Sequence, residues 1–161
     1  MSARLRSVAI IAAVVLIDRL TKLYIRAHVS PMDLFPVIPG FFNIVHTENP
    51  GAAFGFLADS DLRWRRLLLV AVSLVVVAII GSLLFRLTSN SVLQTGLALV
   101  FGGALGNMWD RLMRGTVTDF LQFFFGSYEF PSFNAADSAI TIGAALLLID
   151  LWRSKNHQPS R

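Results

Sequence analysis

The sequence of 161 residues contains no cysteine. That excludes disulfides, a thiolate nucleophile and any thiolate-bound metal centre. Lysine is nearly absent too: only Lys22 and Lys155 occur, and Lys155 follows the last apolar run. A serine/lysine peptidase is left with one conceivable pair, Lys22 with Ser138. The histidines His28, His46 and His157 are scattered, with no HExxH pair and no helical spacing, so no metal site is expected. Charge is scarce, at 15% of residues, where soluble chains carry roughly 25%. No Lys/Arg run is interleaved with aromatics. The net charge of +4 and pI near 10.3 therefore point to anionic lipid and flanking residues rather than nucleic acid.

What fills the sequence instead is apolar. Hydrophobic residues make up 55%, and mean hydropathy is +0.63. They gather into long runs, which predicts an all-α integral membrane protein forming one membrane domain over 1–161. Transmembrane helices are expected at about 8–26, 67–85, 92–113 and 134–152. The first run follows Arg4 and Arg6 like a signal peptide, but no small-residue cleavage site follows. It continues instead into Asp18, Arg19 and Lys22. Between 30 and 66 the breakers Pro31, Pro36, Pro39, Gly40, Pro50 and Gly51 interrupt any helix, and the short β-prone pieces between them predict a small extramembrane β-platform. Residues 59–66 read as a short interfacial helix. The turn at 86–91 is short enough to make the flanking helices antiparallel.

The few polar residues inside these runs carry the functional argument. Asp119 and Asp137 flank a short aromatic, proline-containing loop in TVTDFLQFFFGSYEFPSFNAADSAIT, residues 116–141. Carboxylates beside apolar segments are expensive and mark functional sites, and two brought together share a proton as an acid/base pair. Asp18 and Lys22, at i and i+4, form either a local ion pair or a cluster facing the site. Asn107, Asp110, Arg111 and Arg114 share one helix face. There Arg111 either anchors the helix at the interface or binds a lipid phosphate or a carboxylate. Gly102 and Gly106 form a small-xxx-small pattern for close helix approach. Asn134, Asp137 and Thr141 also share a face, with Asp137 in the first turns, where the helix dipole favours an acid. The turn ENPGAAFGF either covers the bundle or lines a substrate wall through the Asn49 amide and the Gly51 backbone. Four spans place all of these at one surface, although counting bases leaves the orientation open.

Five blocks at compatible spacings then resemble a known family. They are Asp18 with Lys22; Asn49-Pro50-Gly51-Ala52-Ala53-Phe54; Gly102 to Asn107 with Asp110-Arg111; Val117-Thr118-Asp119-Phe120; and Phe133-Asn134-Ala135-Ala136-Asp137-Ser138. The chain resembles the lipoprotein signal peptidases (signal peptidase II), bacterial inner-membrane aspartyl proteases. The resemblance implies that Asp119 and Asp137 are the catalytic dyad. It implies that Asn49, Asn107, Arg111 and Asn134 bind substrate or inhibitor or support the site, and that Asp18 and Asp110 are structural acids; Gly51 and Lys22, in the same blocks, are expected to support the site with them. It implies no cofactor and, as partners, membrane lipids and prolipoproteins carrying a diacylglyceryl-Cys, cut just before that Cys. Globomycin is the implied inhibitor. Both termini would be cytoplasmic, with the active site near the periplasmic surface. Pro50 and Thr118 depart from the family pattern without touching a dyad carboxylate. A Gly-x-Gly-Asp motif of the presenilin kind is absent. A competing reading from another class is a small proton-relay transporter or assembly factor using Asp18, Asp119 and Asp137, which no internal repeat supports.

Overall fold

The computed structural model describes residues 2–51, 62–87 and 91–156. Their order is α1 (Ala3–His28), β1 (Leu34–Ile38), β2 (Phe42–Asn49), α2 (Leu62–Arg86), α3 (Val92–Arg114), β3 (Val117–Phe125), β4 (Tyr128–Phe133) and α4 (Ala135–Asn156). The apolar runs become helices, and hydroxyl caps fix two of their starts. The Ser2 hydroxyl accepts from the Leu5 N–H at 3.3 Å, and that of Ser91 from the Gln94 N–H at 3.2 Å. By length and composition α2, α3 and α4 can each cross a membrane. The first helix is longer, about 39 Å for its 26 residues at 1.5 Å per residue. Asp18, Arg19, Lys22 and Arg26 interrupt its apolar run, so composition alone does not place it among the spanning helices. The third helix is the central one: 56% of its apolar window is buried, against 11% for α2 and 17% for α4. Large apolar side chains such as Leu20, Val75, Ile79, Leu148 and Leu151 face outwards, as lipid requires and water does not.

Glycines set how closely the helices approach. Gly102 and Gly106 meet α1, as their spacing predicts: a Cβ on Gly102 would lie 2.9 Å from Val14, and one on Gly106 only 2.6 Å from the Asp18 carboxylate. A second seam, formed by Gly96, Gly103 and Gly143, brings α3 against α4 backbone to backbone. A Cβ on Gly103 would sit 2.4 Å from the Ala136 carbonyl oxygen, where no flexible side chain can yield. Gly103→Ala is therefore expected to destabilise by at least the roughly 1–3 kcal/mol typical of overpacking. Thermal unfolding of the variant beside the unaltered protein in detergent measures it. An unchanged melting temperature would contradict the close seam.

The strands form a four-stranded antiparallel sheet in the order β1-β2-β3-β4. Among the described residues, only β1 and β2 of the sheet lie in the expected platform. The stretch read as a loop between Asp119 and Asp137 is instead the hairpin β3–β4, which completes the sheet. The reason is visible in VTDFLQFFF, whose β-branched and aromatic residues suit a pleated surface once a partner strand is available. The hairpin turns at Gly126, with φ +66°. Pro131 is tolerated because β4 is an edge strand, irregular at that point. Phe123 stacks on Phe42 at 4.6 Å and on Phe133 at 5.8 Å, tying three strands together. Beneath the sheet, Ile25 and Val29 at the end of α1 pack on Phe120. The expected interfacial helix is also revised: residues 62–66 are the first turns of α2, and 59–61 lie outside the described residues. So do Ala52, Ala53 and Phe54 of the turn motif.

Candidate active site

The strand pairing and one helix cap bring the two aspartates to a single cleft. Asp119 stands on β3 opposite Thr47 and is 3% exposed. Asp137 stands in the first turn of α4, where Asn134 is the cap. The Asn134 side-chain carbonyl accepts from the Asp137 N–H at 3.0 Å, and Asp137 Oδ2 accepts from the Asn134 N–H at 3.3 Å. This reciprocal pairing is a capping box. The capping role considered for Asp137 is thus real, and it leaves Oδ1 for another partner.

Three asparagine amides hold the carboxylates. Asn107 Nδ2 donates to Asp137 Oδ1 at 2.7 Å, Asn134 Nδ2 to Asp119 Oδ1 at 2.7 Å, and Asn49 Nδ2 to Asp119 Oδ2 at 3.0 Å. The amide ends are not interchangeable here, because each carbonyl oxygen faces a group that can only donate. Those groups are Lys22 Nζ at 3.0 Å for Asn107, the Asp137 N–H for Asn134, and the Gly51 N–H at 2.8 Å for Asn49. Gly51 reaches that position with φ +95°, and a Cβ there would collide with the Leu69 side chain. All four carboxylate oxygens of the pair therefore accept at least one hydrogen bond.

Behind the amides lies a buried ionic network. Lys22, 0% exposed, stands 2.9 Å from both Asp18 and Asp110. Asp18 Oδ1 accepts from the Ala136 N–H at 3.0 Å, so it also steadies the start of α4. Asp110 Oδ1 accepts from Arg26 at 2.9 Å and from Arg19 at 3.2 Å. The two readings of Asp18 and Lys22 merge: they form a local ion pair, and that pair also orients Asn107.

Glu48, Arg26 and Thr118 are site-supporting residues that the sequence reading passed over. Arg26 Nε donates to the fully buried Thr118 hydroxyl at 2.7 Å, which donates to Glu48 Oε1 at 2.8 Å. Thr116 donates to Glu48 Oε2 at 2.5 Å, and His46 Nε2 lies 3.1 Å from Oε1. Glu48 thus ties α1 and β2 to the strand segment just before Asp119. The signal was present: Asp18, Lys22 and Arg26 recur every four residues, while Glu48 and Thr118 adjoin Asn49 and Asp119. Burial pushes the Glu48 carboxyl up, but the hydrogen bonds from Thr116, Thr118 and His46 and the Arg26 charge outweigh it and hold it below its usual range. A carboxyl depressed in this way stabilises the fold above pH 4.5, and that contribution disappears as pH falls through its folded-state value. Glu48→Gln is expected to lower the melting temperature by a few degrees at pH 7, with the gap closing towards pH 3. A gap independent of pH would rule out the charge as its source.

The cleft measures about 940 Å³ and is lined by Asn49, Arg111, Asp119 and Asp137 together with β4 and the first turns of α4. Arg111 enters from the last turn of α3, its Nε buried without a hydrogen-bond partner. Burial raises the Asp119 carboxyl, and the Asp137 charge adds to it. The Asn49 and Asn134 amides and the Lys22 charge pull the other way, leaving it at about 6. A carboxyl that holds its proton towards neutrality beside a second carboxyl has the makings of an acid/base pair. Among the described residues no cluster of His, Asp or Glu is arranged to hold a metal ion.

Known proteins resemble this chain along nearly its whole length. The family described as signal peptidase (SPase) II matches residues 10–153. The lipoprotein signal peptidase of Solibacter usitatus is 46% identical, covering 94% of this chain and 93% of the relative. That of Maridesulfovibrio salexigens is 43% identical over 91% and 95%. A bacterial membrane enzyme solved by the in meso method at 2.3 Å superposes with a TM-score of 0.84 at 33% identity, covering 97% of this chain and 93% of that one. A second such structure, at 1.9 Å, gives 0.81 at 35% identity over 91% and 92%. With agreement of this extent in both sequence and fold, the chain belongs to the signal peptidase II family of membrane proteases.

Proposed function

We propose that this protein is an aspartic endopeptidase that removes the signal peptide from diacylglyceryl-modified prolipoproteins, cutting just before the lipidated Cys. The observation that carries the reading is the convergence of Asp119 and Asp137 on one cleft, each held by amides of fixed orientation. One carboxylate takes a proton from water as the water oxygen attacks the scissile carbonyl, while the protonated partner donates to the carbonyl oxygen. On collapse of the tetrahedral adduct the protonated carboxyl gives its proton to the departing amine as the C–N bond breaks, and the other carboxylate takes one from a hydroxyl of the adduct, so the pair again holds a single proton. The proton belongs to the pair, not to either residue. Arg111 supplies a positive charge in the cleft and an unused buried donor for a substrate carbonyl.

In this reading α1 is a fourth span, and the chain is one membrane unit in the bacterial inner membrane. Both termini are cytoplasmic, and the sheet and cleft face the periplasm. The support is topological: α1 and α3 end at the sheet, while α2 and α4 begin there. Anchored acyl chains would hold the scissile bond at cleft depth and turn a bimolecular encounter into a positioned, near-unimolecular step. The test is incubation of the purified protein with a diacylglyceryl-modified precursor and with its unlipidated form. Cleavage before the lipidated Cys alone is expected, and globomycin is expected to suppress it. Failure to cut either precursor overturns the proposal.

A further inference from the structure

A second concavity lies between α1 and α3 and shares no residue with the dyad cleft. Its volume is about 360 Å³, within the roughly 300–1,000 Å³ of small-ligand pockets. On α3, Leu105, Met108, Trp109 and Leu112 recur at i, i+3, i+4 and i+7, so they form one stripe, while Asn107 and Arg111 lie on the opposite side of the helix. Val15 of α1 closes the apolar wall, and Arg19 stands at the rim with its guanidinium 5.7 Å from the Trp109 ring. We propose that this groove binds an anionic glycerophospholipid, one acyl chain lying in the groove and the phosphate on Arg19.

Charge selects the headgroup. Asp110 meets three cations: Lys22 and Arg26 hold it at 2.9 Å, Lys22 fully buried and Arg26 with 9% of its side chain exposed. Arg19 is the outer one, at 3.2 Å and with 35% of its side chain exposed. Its Nη1 engages Asp110, and among the described residues no other acceptor is recorded for its remaining donors. A guanidinium so placed matches a phosphate, which it can bind through two parallel N–H bonds. Depth selects a lipid over a soluble anion. Trp109 lies five residues, about 8 Å, before the end of α3, the level at which indoles mark the hydrocarbon boundary. The groove is also kept open by its floor: Gly106 has no side chain, and one would collide with Asp18. A polypeptide segment would need backbone acceptors and donors, whereas these walls offer apolar side chains.

The experiment is native mass spectrometry of the purified, detergent-solubilised full chain, titrated with phosphatidylglycerol and with phosphatidylcholine of identical acyl chains. Its readout is retained lipid, so it does not depend on the peptidase reading. The expected result is about a five-fold preference for phosphatidylglycerol, the scale on which one basic residue distinguishes a net anionic lipid from phosphatidylcholine, whose choline ammonium offsets the same phosphate. Arg19→Gln should abolish the preference, and Val15→Phe, which fills the groove without altering charge, should reduce retention of both lipids. Equal retention of the two lipids by the unaltered protein overturns the proposal, as does a preference that survives Arg19→Gln. Glycerol phosphate retained as well as the full lipid would overturn the acyl-chain part. Displacement of phosphatidylglycerol by a diacylglyceryl-modified peptide would assign the groove to substrate chains instead of bulk lipid.

Discussion

Substituting asparagine for Asp119 or for Asp137 is expected to silence cleavage while the protein still inserts and folds. A positioned acid or base contributes roughly 10²–10⁴-fold, and members of a catalytic unit lose their effects together, so the double variant should be no worse than either single one. The stability of the Asp119→Asn protein carries a second signature. The Asp119 carboxyl is raised from 3.8 to about 6, so between those values the folded state binds a proton that the unfolded chain releases. Stability of the unaltered protein therefore falls as pH rises through this window and stays lowered above it. At 1.36 kcal/mol for each pH unit, the loss is about 3 kcal/mol. The asparagine variant lacks this slope, so its stability relative to the parent should improve by most of that amount between pH 4 and pH 7. Thermal unfolding at both pH values, beside the cleavage assay, checks each half. Parallel pH dependence in the two proteins would contradict a proton held by the buried pair over this window, and residual full-rate cleavage would remove Asp119 from the mechanism.

Lys22→Met is expected to have the next largest effect. The side chain is 0% exposed and neutralises two carboxylates that are themselves 2% and 1% exposed. Breaking a buried pair by removing one partner costs about 3–5 kcal/mol, because a charge is left behind without compensation. Arg26 and Arg19 still serve Asp110, so the stranded charge is mainly that of Asp18. Adding Asp18→Asn should therefore recover most of the lost stability. It should not recover full activity, because the Asn107 carbonyl then keeps only the longer bond from Asn134 Nδ2, at 3.3 Å, and the amide presents Nδ2 to Asp137 less firmly. Thermal unfolding and cleavage by the single and double variants separate the two roles. Normal turnover by the stabilised double variant would make Lys22 scaffold only.

Much of this was legible because it is local. The spacing of Asp18 and Lys22, the stripe of Asn107 with Arg111, and the cap formed by Asn134 and Asp137 all follow from helical periodicity within a few residues. The β3–β4 hairpin was not legible, since an aromatic run such as Phe123-Phe124-Phe125 suits a surface loop at a membrane as well as a strand. What decides it is β2, whose residue Thr47 pairs with Asp119 from 72 positions away. The orientation of the three amides likewise depends on Gly51, Lys22 and a cap N–H, and the role of Glu48 on partners from α1 and β3. Gly96, Gly103 and Gly143 could have been read as a seven-residue repeat and its mate, but nothing local says which helix they meet.

The split origin of the sheet has a consequence for how the protein is made. Asn49 pairs with Val117, and at about 5–20 residues per second of synthesis the intervening segment takes several seconds to emerge. Through that interval the β1–β2 hairpin waits with a free edge, while two helices must enter the membrane before its partner strand arrives. The polar run His46-Thr47-Glu48-Asn49 along that edge is the kind that discourages pairing with a stranger. Asp137 comes later still, with the final helix. Until α4 has emerged the chain thus lacks the Asp119–Asp137 pair, and under the function proposed above it would acquire the capacity to cut peptides only with that helix.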